Sequence, residues 1–486
     1  MKRNWKKTGL TLILAILMMA TMITSAGADS NVVKLRVWGF GYNATSDDCA
    51  AVAEAVSKIT REKIGVEVEL IRSSDGEKLN LALNSGEQMD LVIYHTYAGG
   101  LNTLVTNGIA LPIDDLAAQY APEALEIVGE DMLAFGKVNG ELYSIPSMKD
   151  FASAYCVAMR MDVLEDLGID PATIKTMDDV HDVLVKVKEN RDDVYPIVPT
   201  WGGGGMQKTF AFDCLGTGFW DACGVLENVF DDSTTVVNLY ETESYRKFCE
   251  MMYQWNQEGL VMPDATTYNE SNACETIGFA DFENLKPGKD KEIRVGWKHE
   301  GLLVPTVDSF MVSDAGSSSF FIPSSCEHPE KAMQLWNLMF IDPEISNLFV
   351  NGIEGVNYEY VDADRKVIHE IEGNTYDALD WAWPNGRITP VYEGDDLDKW
   401  DQLAAFCDNA HKSVALGFRF DNTMVLNELT ACSNVISKYE VGLRWGVLNP
   451  DDYLPIFNEE LKAAGIETII AEKQAQLDAY LAENSK

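Results

Sequence analysis

Phe40, Tyr42, Tyr94, Tyr97, Trp201, Trp297, Trp381 and Trp383 lie in or beside loops containing Gly or Pro rather than within apolar stripes. Aromatic planes placed this way suit stacking on the C–H faces of a sugar ring, whose hydroxyls also need short polar partners. Asp150, Asp213 and Glu354 are the polar candidates, although each would serve equally as a solvated or capping residue. About half of the loop aromatics are expected to touch a ligand. Trp381 and Trp383 alternate around Ala382 before Pro384-Asn385-Gly386, so an extended backbone would point both to one side. Trp255, Trp336 and Trp445 fall within helical patterns, where core packing is the default.

Other chemistries fit less well. Gly39 to Ala44 matches G-x-G-x-x-A between a strand and a helix, as a dinucleotide site would, but Arg72-Ser73-Ser74 follows the next strand where the ribose needs a carboxylate. The glycines are read instead as a tight turn that displays Phe40 and Tyr42. Gly202 to Gly205 with Lys208-Thr209 approaches a phosphate loop, yet Gln207 stands where glycine is required. Trp201 then reads either as an aromatic on a flexible pocket loop or as an incidental surface residue. The chain contains no H-E-x-x-H, G-x-S-x-G or EF-hand pattern, so neither a metal nor a cofactor is expected, and 77 acidic residues make chance carboxylate pairs uninformative.

The elements that must position these residues alternate. Leu35 to Trp38 reads as a strand, Asp48 to Lys63 as a helix with Cys49, Val52, Ala53, Val56 and Ile59 on its apolar face, and Val66 to Ile71 as a second strand. Leu91 to Tyr94 is a third, followed by helices near Leu101 to Val105 and from Asp114, the latter capped by Asp114. Such alternation implies a mostly parallel sheet covered by helices, with Tyr94 and Tyr97 at the carboxyl end of a buried strand, where open α/β sheets bind ligands. Asn139-Gly140 signals a hairpin, Thr176 a cap for Met177 to Glu189, and Asp342 a cap for Pro343 to Val350. From Leu403 the pattern is mostly helical.

Several of these stretches resemble the family-1 extracellular solute-binding proteins of bacterial ABC importers. Ser85 to Pro122 carries the family's strand, aromatic loop and "G-x-L-P-L-D-D-L"; Asn139 to Pro146 matches "N-G-x-L-Y-S-I-P"; Gly352 to Tyr358 matches "G-x-E-G-x-x-Y". Phe418 to Asp421 and the helical end are similar to an extra C-terminal segment, of unknown function, in one carbohydrate-type subgroup. The resemblance implies an α/β two-lobed periplasmic-binding-protein-like (type II) fold, its discontinuous lobes joined by a hinge, with Pro146 to Ser153 as hinge candidate. The expected division is 29–148 and 302–352 for the N-terminal lobe, 149–301 and 353–402 for the C-terminal lobe, and 403–486 for an extension packed on the latter. It further implies capture of a sugar or oligosaccharide, no catalysis, delivery to an ABC importer membrane permease and a monomeric state. A secreted carbohydrate-active enzyme and a peptide-binding receptor of related fold remain alternatives.

Lys2, Arg3, Lys6 and Lys7 precede the apolar run Leu10 to Met19, and Ala26-Gly27-Ala28 offers a signal-peptidase site, so residues 1–28 read as a signal peptide cleaved after Ala28. A membrane anchor would need about 20 apolar residues without interruption. The first cysteine is Cys49, which leaves no lipid-anchor cysteine beside the cleavage site, and an extracytoplasmic protein is expected. A formal charge of −39 opposes binding of nucleic acid. The nine cysteines are scattered without a C-x-x-C pair; most are expected to be buried thiols, with a Cys214–Cys223 bridge left open.

Overall fold

The computed structural model describes residues 32–93, 100–199, 208–216, 222–268, 270, 272–316 and 319–484. The expected signal peptide lies outside them.

Local signals set the first units. Thr45 and Asp48 form a reciprocal capping box at the start of helix Ser46–Ile64, and Gly65 ends it in the left-handed conformation. The helix buries Cys49, Val52, Ala53 and Val56 and hands the chain to strand Val66–Arg72, which runs parallel to Val33–Gly39 in unbroken register. Thr176 and Asp179 repeat the capping box at helix Met177–Asn190, and Asp342 accepts the Glu344 and Ile345 N–H groups at helix Pro343–Asn351. Asn139 and Gly140 both adopt positive φ and join two short antiparallel strands, as the dipeptide predicts. Asp114 departs from expectation: it accepts the Leu142 N–H at 2.9 Å and so ties its helix to that hairpin instead of capping it.

These units build two five-stranded mixed sheets, the expected two-lobed α/β architecture. The first has the order Val66–Arg72, Val33–Gly39, Leu91–Ile93, Ser319–Phe321, Ile145–Pro146, with Ser319–Phe321 antiparallel to both neighbours. The second has the order His411–Lys412, Gly301–Met311, Ser153–Arg160, Gly278–Asn284, Tyr195–Ile197. Each sheet has its own apolar core. Trp336 lies fully buried in the first, stacked on Phe320 at 4.3 Å, while Trp255 and Trp445 lie in the second.

The chain passes between the two large sheets at Pro146–Ser153 and between Met311 and Ser319, and a third passage runs from Tyr392, in a small three-stranded sheet of Tyr358–Asp362, Val367–Glu370 and Val391–Tyr392, to His411. Phe151, Ala152, Met311, Cys407 and Ala410 from these passages form a small apolar cluster of their own, the hinge core. Two expected boundaries are corrected. Gly301–Met311, assigned by sequence to the first lobe from 302, is an interior strand of the second sheet and pairs with Ser153–Arg160 along its length. Residues 353–402, assigned to the second lobe, place Tyr376, Leu379, Ala382 and Trp383 in the first core. Helices Leu426–Arg444, Pro450–Ala464 and Ile466–Asn484 contribute Leu443, Phe457, Leu461, Ile469 and Leu477 to the second core, which they extend.

Candidate functional site

Val33–Gly39 lies between Val66–Arg72 and Leu91–Ile93, so the order of connection reverses beside it, the place where open α/β sheets bind ligands outside the carboxyl ends of their strands. The loop leaving it, Phe40 to Asn43, is held from two directions. Arg72, at the end of the next strand, donates through Nε to the Phe40 carbonyl at 3.1 Å and through its terminal nitrogen to the Asp377 carbonyl at 2.8 Å. Asp377 returns two contacts, accepting the Tyr42 N–H at 2.9 Å and the Asn43 N–H at 3.3 Å. The Arg72 guanidinium also lies over the Tyr376 ring at 4.2 Å. A Cβ at Gly41 would run into Arg72 and one at Gly39 into the Trp383 ring, so both glycines serve close packing.

The clamp creates an aromatic group. Phe40 packs edge-on to Tyr42 at 4.9 Å and tilted against Trp381 at 5.5 Å. Phe40 is itself buried, so it backs the group, whereas Tyr42 is 59% exposed and Trp381 half-buried. The sequence reading of Phe40 as a displayed residue is corrected accordingly.

Trp381 also borders a cavity of about 60 Å³ that opens beside the hinge, with Asp150, Lys286, Asp380, Lys399 and Trp400. Lys286 bridges Asp150 at 3.1 Å and Glu292 at 2.9 Å; Lys399 lies 2.9 Å from Asp395 and 3.7 Å from Asp380. Lys399 rests over the Trp400 ring at 4.8 Å, and the Trp400 indole N–H donates to the Thr389 carbonyl at 3.0 Å. Burial pushes the Asp150 carboxyl up, but the Lys286 and Lys149 charges outweigh it and hold the group below the ordinary carboxylate range. Burial likewise lowers Lys286, and the Asp150 and Glu292 charges more than reverse it. The walls thus carry rigid aromatic planes and ionised groups of both signs, a surface for stacking and hydrogen bonding.

The structure does not bring all candidates here. Trp383 is fully buried, stacked on Phe349 at 5.1 Å, because the chain turns at Leu379–Ala382 with the Ala382 N–H on the Leu379 carbonyl and loses the extended alternation. Trp297, read as a loop aromatic, instead closes helix Lys289–Trp297 and is packed in the second core. Asp213 is buried and accepts from the Leu215 and Ser313 N–H groups and the Ser313 hydroxyl, a bracket between the second lobe and the passage that follows Met311. Glu354 is exposed in the turn before Tyr358–Asp362, outside the cavity lining. Tyr94, Tyr97 and Trp201 lie outside the described residues. Asp380, Lys286, Lys399 and Trp400 escaped the sequence reading; Trp400, beside the Gly394 to Asp398 loop, carried the same signal as the aromatics that were selected.

Comparison with known proteins agrees with this architecture. The model of the bacterial extracellular solute-binding protein family matches residues 44–340, and that of a domain of unknown function (DUF3502) matches residues 414–482. The chain is 24% identical over 99% of both lengths to a carbohydrate ABC transporter substrate-binding protein of Streptococcus pneumoniae. It superposes with a TM-score of 0.82 on the N-glycan transport solute binding protein from Streptococcus pneumoniae, at 21% identity, over 93% of this chain and all of that one. The same protein in complex with Man1GlcNAc matches with a TM-score of 0.74, at 21% identity, over 92% of this chain and 99% of that one. The chain belongs to the bacterial extracellular solute-binding protein family, whose members bind rather than transform their solutes.

Proposed function

We propose that this solute-binding protein captures an oligosaccharide between its lobes, with Tyr42 and Trp381 stacking on sugar faces and Asp150, Lys286 and Trp400 closing the opposite wall, and delivers it to the permease of an ABC importer. The observation that carries the reading is the meeting of the Phe40–Tyr42–Trp381 group with the Asp150–Lys286 pair beside the three passages that join the lobes. Aromatic planes supply area for the C–H faces, and paired charges offer fixed donors and acceptors to hydroxyls. The names of the similar proteins, one a carbohydrate transporter component and one solved with Man1GlcNAc, favour a glycan over a peptide. Export with cleavage after Ala28 and a monomeric mature protein complete the proposal.

Thermal shift across a glycan panel that includes Man1GlcNAc tests it. A ligand at about 100 times its dissociation constant adds roughly 2.7 kcal/mol to the folded state. Small-angle scattering of the same mixtures should show compaction, since ligand favours the state it contacts on both walls. A panel without any shift refutes glycan capture, and glycan turnover would favour the enzyme.

A further inference from the structure

Residues 416–421 of the C-terminal domain are held by the second lobe and its extension. The Tyr480 hydroxyl donates to the Leu416 carbonyl, and Gln476 both accepts the Asp421 N–H at 2.8 Å and donates to the Asp421 carbonyl at 2.9 Å. The Phe420 N–H donates to the Leu215 carbonyl at 3.2 Å, and a Cβ at Gly216 would strike the Phe418 carbonyl, so loop and lobe lie in close contact. Phe418 packs edge-on to Tyr480 at 5.5 Å. These contacts make the loop part of the second rigid body.

Its outer side touches the first lobe. Arg419 donates through Nε and a terminal nitrogen to the Phe135 carbonyl at 3.0 and 2.6 Å, and the Asn102 amide donates to the Phe420 carbonyl at 3.3 Å. Gly417 lies against Ala134, leaving no room for a side chain at that contact, and Lys412 just before the loop pairs with Asp131 at 2.8 Å. Leu416 packs on the hinge core itself. Asn102 lies in the first turn of helix Leu101–Thr106, the next helix after strand Leu91–Ile93.

We propose that the C-terminal domain is an interlobe brace, in which the loop Leu416–Asp421, carried by helix Ile466–Asn484, seats against Ala134, Phe135 and Asn102 and sets the resting angle of the cleft. A rotation of the lobes about the hinge must break or slide the Arg419 and Asn102 contacts, so their free energy enters the open–closed equilibrium directly. Apparent affinity scales with the fraction of the binding-competent state, and the brace therefore tunes affinity without touching the solute. The helices following the hinge thereby acquire a mechanical role beyond solute contact.

Small-angle scattering of the full chain without ligand tests the brace, and needs no assumption about which solute binds. Ala134→Leu puts a wedge between Ala134 and Gly417; Arg419→Met removes the fork to Phe135. Both variants, where folded, are expected to show a larger radius of gyration than the parent, with a single cooperative melting transition. Arg419 is a half-buried cation that ties the loop to Phe135, so its loss threatens folding, and if Arg419→Met does not fold, Ala134→Leu alone decides. A folded Ala134→Leu variant with the parental scattering profile overturns the brace, as does an expansion accompanied by loss of cooperative melting.

Discussion

Arg72 and Asp377 stand 305 residues apart in the chain, yet the guanidinium lies 3.6 Å from the carboxylate and donates to the same residue's carbonyl. The Arg72 side chain is fully buried, and its hydrogen bonds, the carboxylate and the Tyr376 and Trp383 rings offset the desolvation of its charge. The pair fixes the loop that presents Tyr42, so the geometry of the aromatic group depends on a contact formed late in sequence.

Replacing Arg72 by Met should therefore destabilise the chain by about 3 to 5 kcal/mol, because the carbonyl groups of Phe40 and Asp377 lose their donor and the carboxylate its counter-charge. Urea unfolding measures it. Asp377→Ala should act more locally: the Tyr42 and Asn43 amides, which it now holds, should exchange hydrogen faster than those of strand Val33–Gly39. Equal protection in parent and variant would show that the loop is held by other means.

What was legible in the sequence was local. The Thr176 cap, the Asn139-Gly140 turn and the buried stripe that carries Trp336 each depend on residues within about one or two helical turns of one another, and the Thr45–Asp48 box, equally local, went unread. The resemblance supplied the two-lobed fold. The site was only partly legible because its members meet through tertiary contacts: Asp150, Lys286 and Lys399 sit in three separate segments, and no spacing links them. Trp383 was misread for a related reason. Alternation predicts a shared face only in an extended chain, and the turn at Leu379–Ala382 rotated Trp383 inward onto Phe349.

That difference separates the two tryptophans by experiment. Trp383→Ala empties a space in the first core and should cost roughly 3 to 5 kcal/mol of stability. Trp381→Ala, at a half-buried position on the cavity rim, should leave the ligand-free melting temperature close to that of the parent. Its effect should appear in binding, since an aromatic contact worth about 1.4 kcal/mol corresponds to a tenfold change in dissociation constant. Calorimetry with a glycan that shifts the parent protein measures it. Parental affinity in the Trp381 variant would remove that residue from the site.

The Asp150–Lys286 pair gives a pH signature with a definite sign. Asp150 binds its proton less tightly in the fold than in the unfolded chain, because the Lys286 and Lys149 charges outweigh the upward push of burial. Its contribution to stability is therefore fully present above the unfolded carboxyl value of about 3.9 and is lost as pH falls through the lower folded value. Lys286 is shifted the other way, so its contribution persists below the unfolded amine value of about 10.4 and declines only as pH rises through the higher folded value. Asp150→Asn should accordingly be less stable than the parent across neutral pH, with the gap closing in acid as the parental carboxyl takes up its proton. Denaturant unfolding of both proteins at a series of pH values from neutral to strongly acidic measures the gap. A difference that stays constant down to the acid limit would mean that the substitution acts through packing, and the ion pair would lose its place as the charged wall of the cavity.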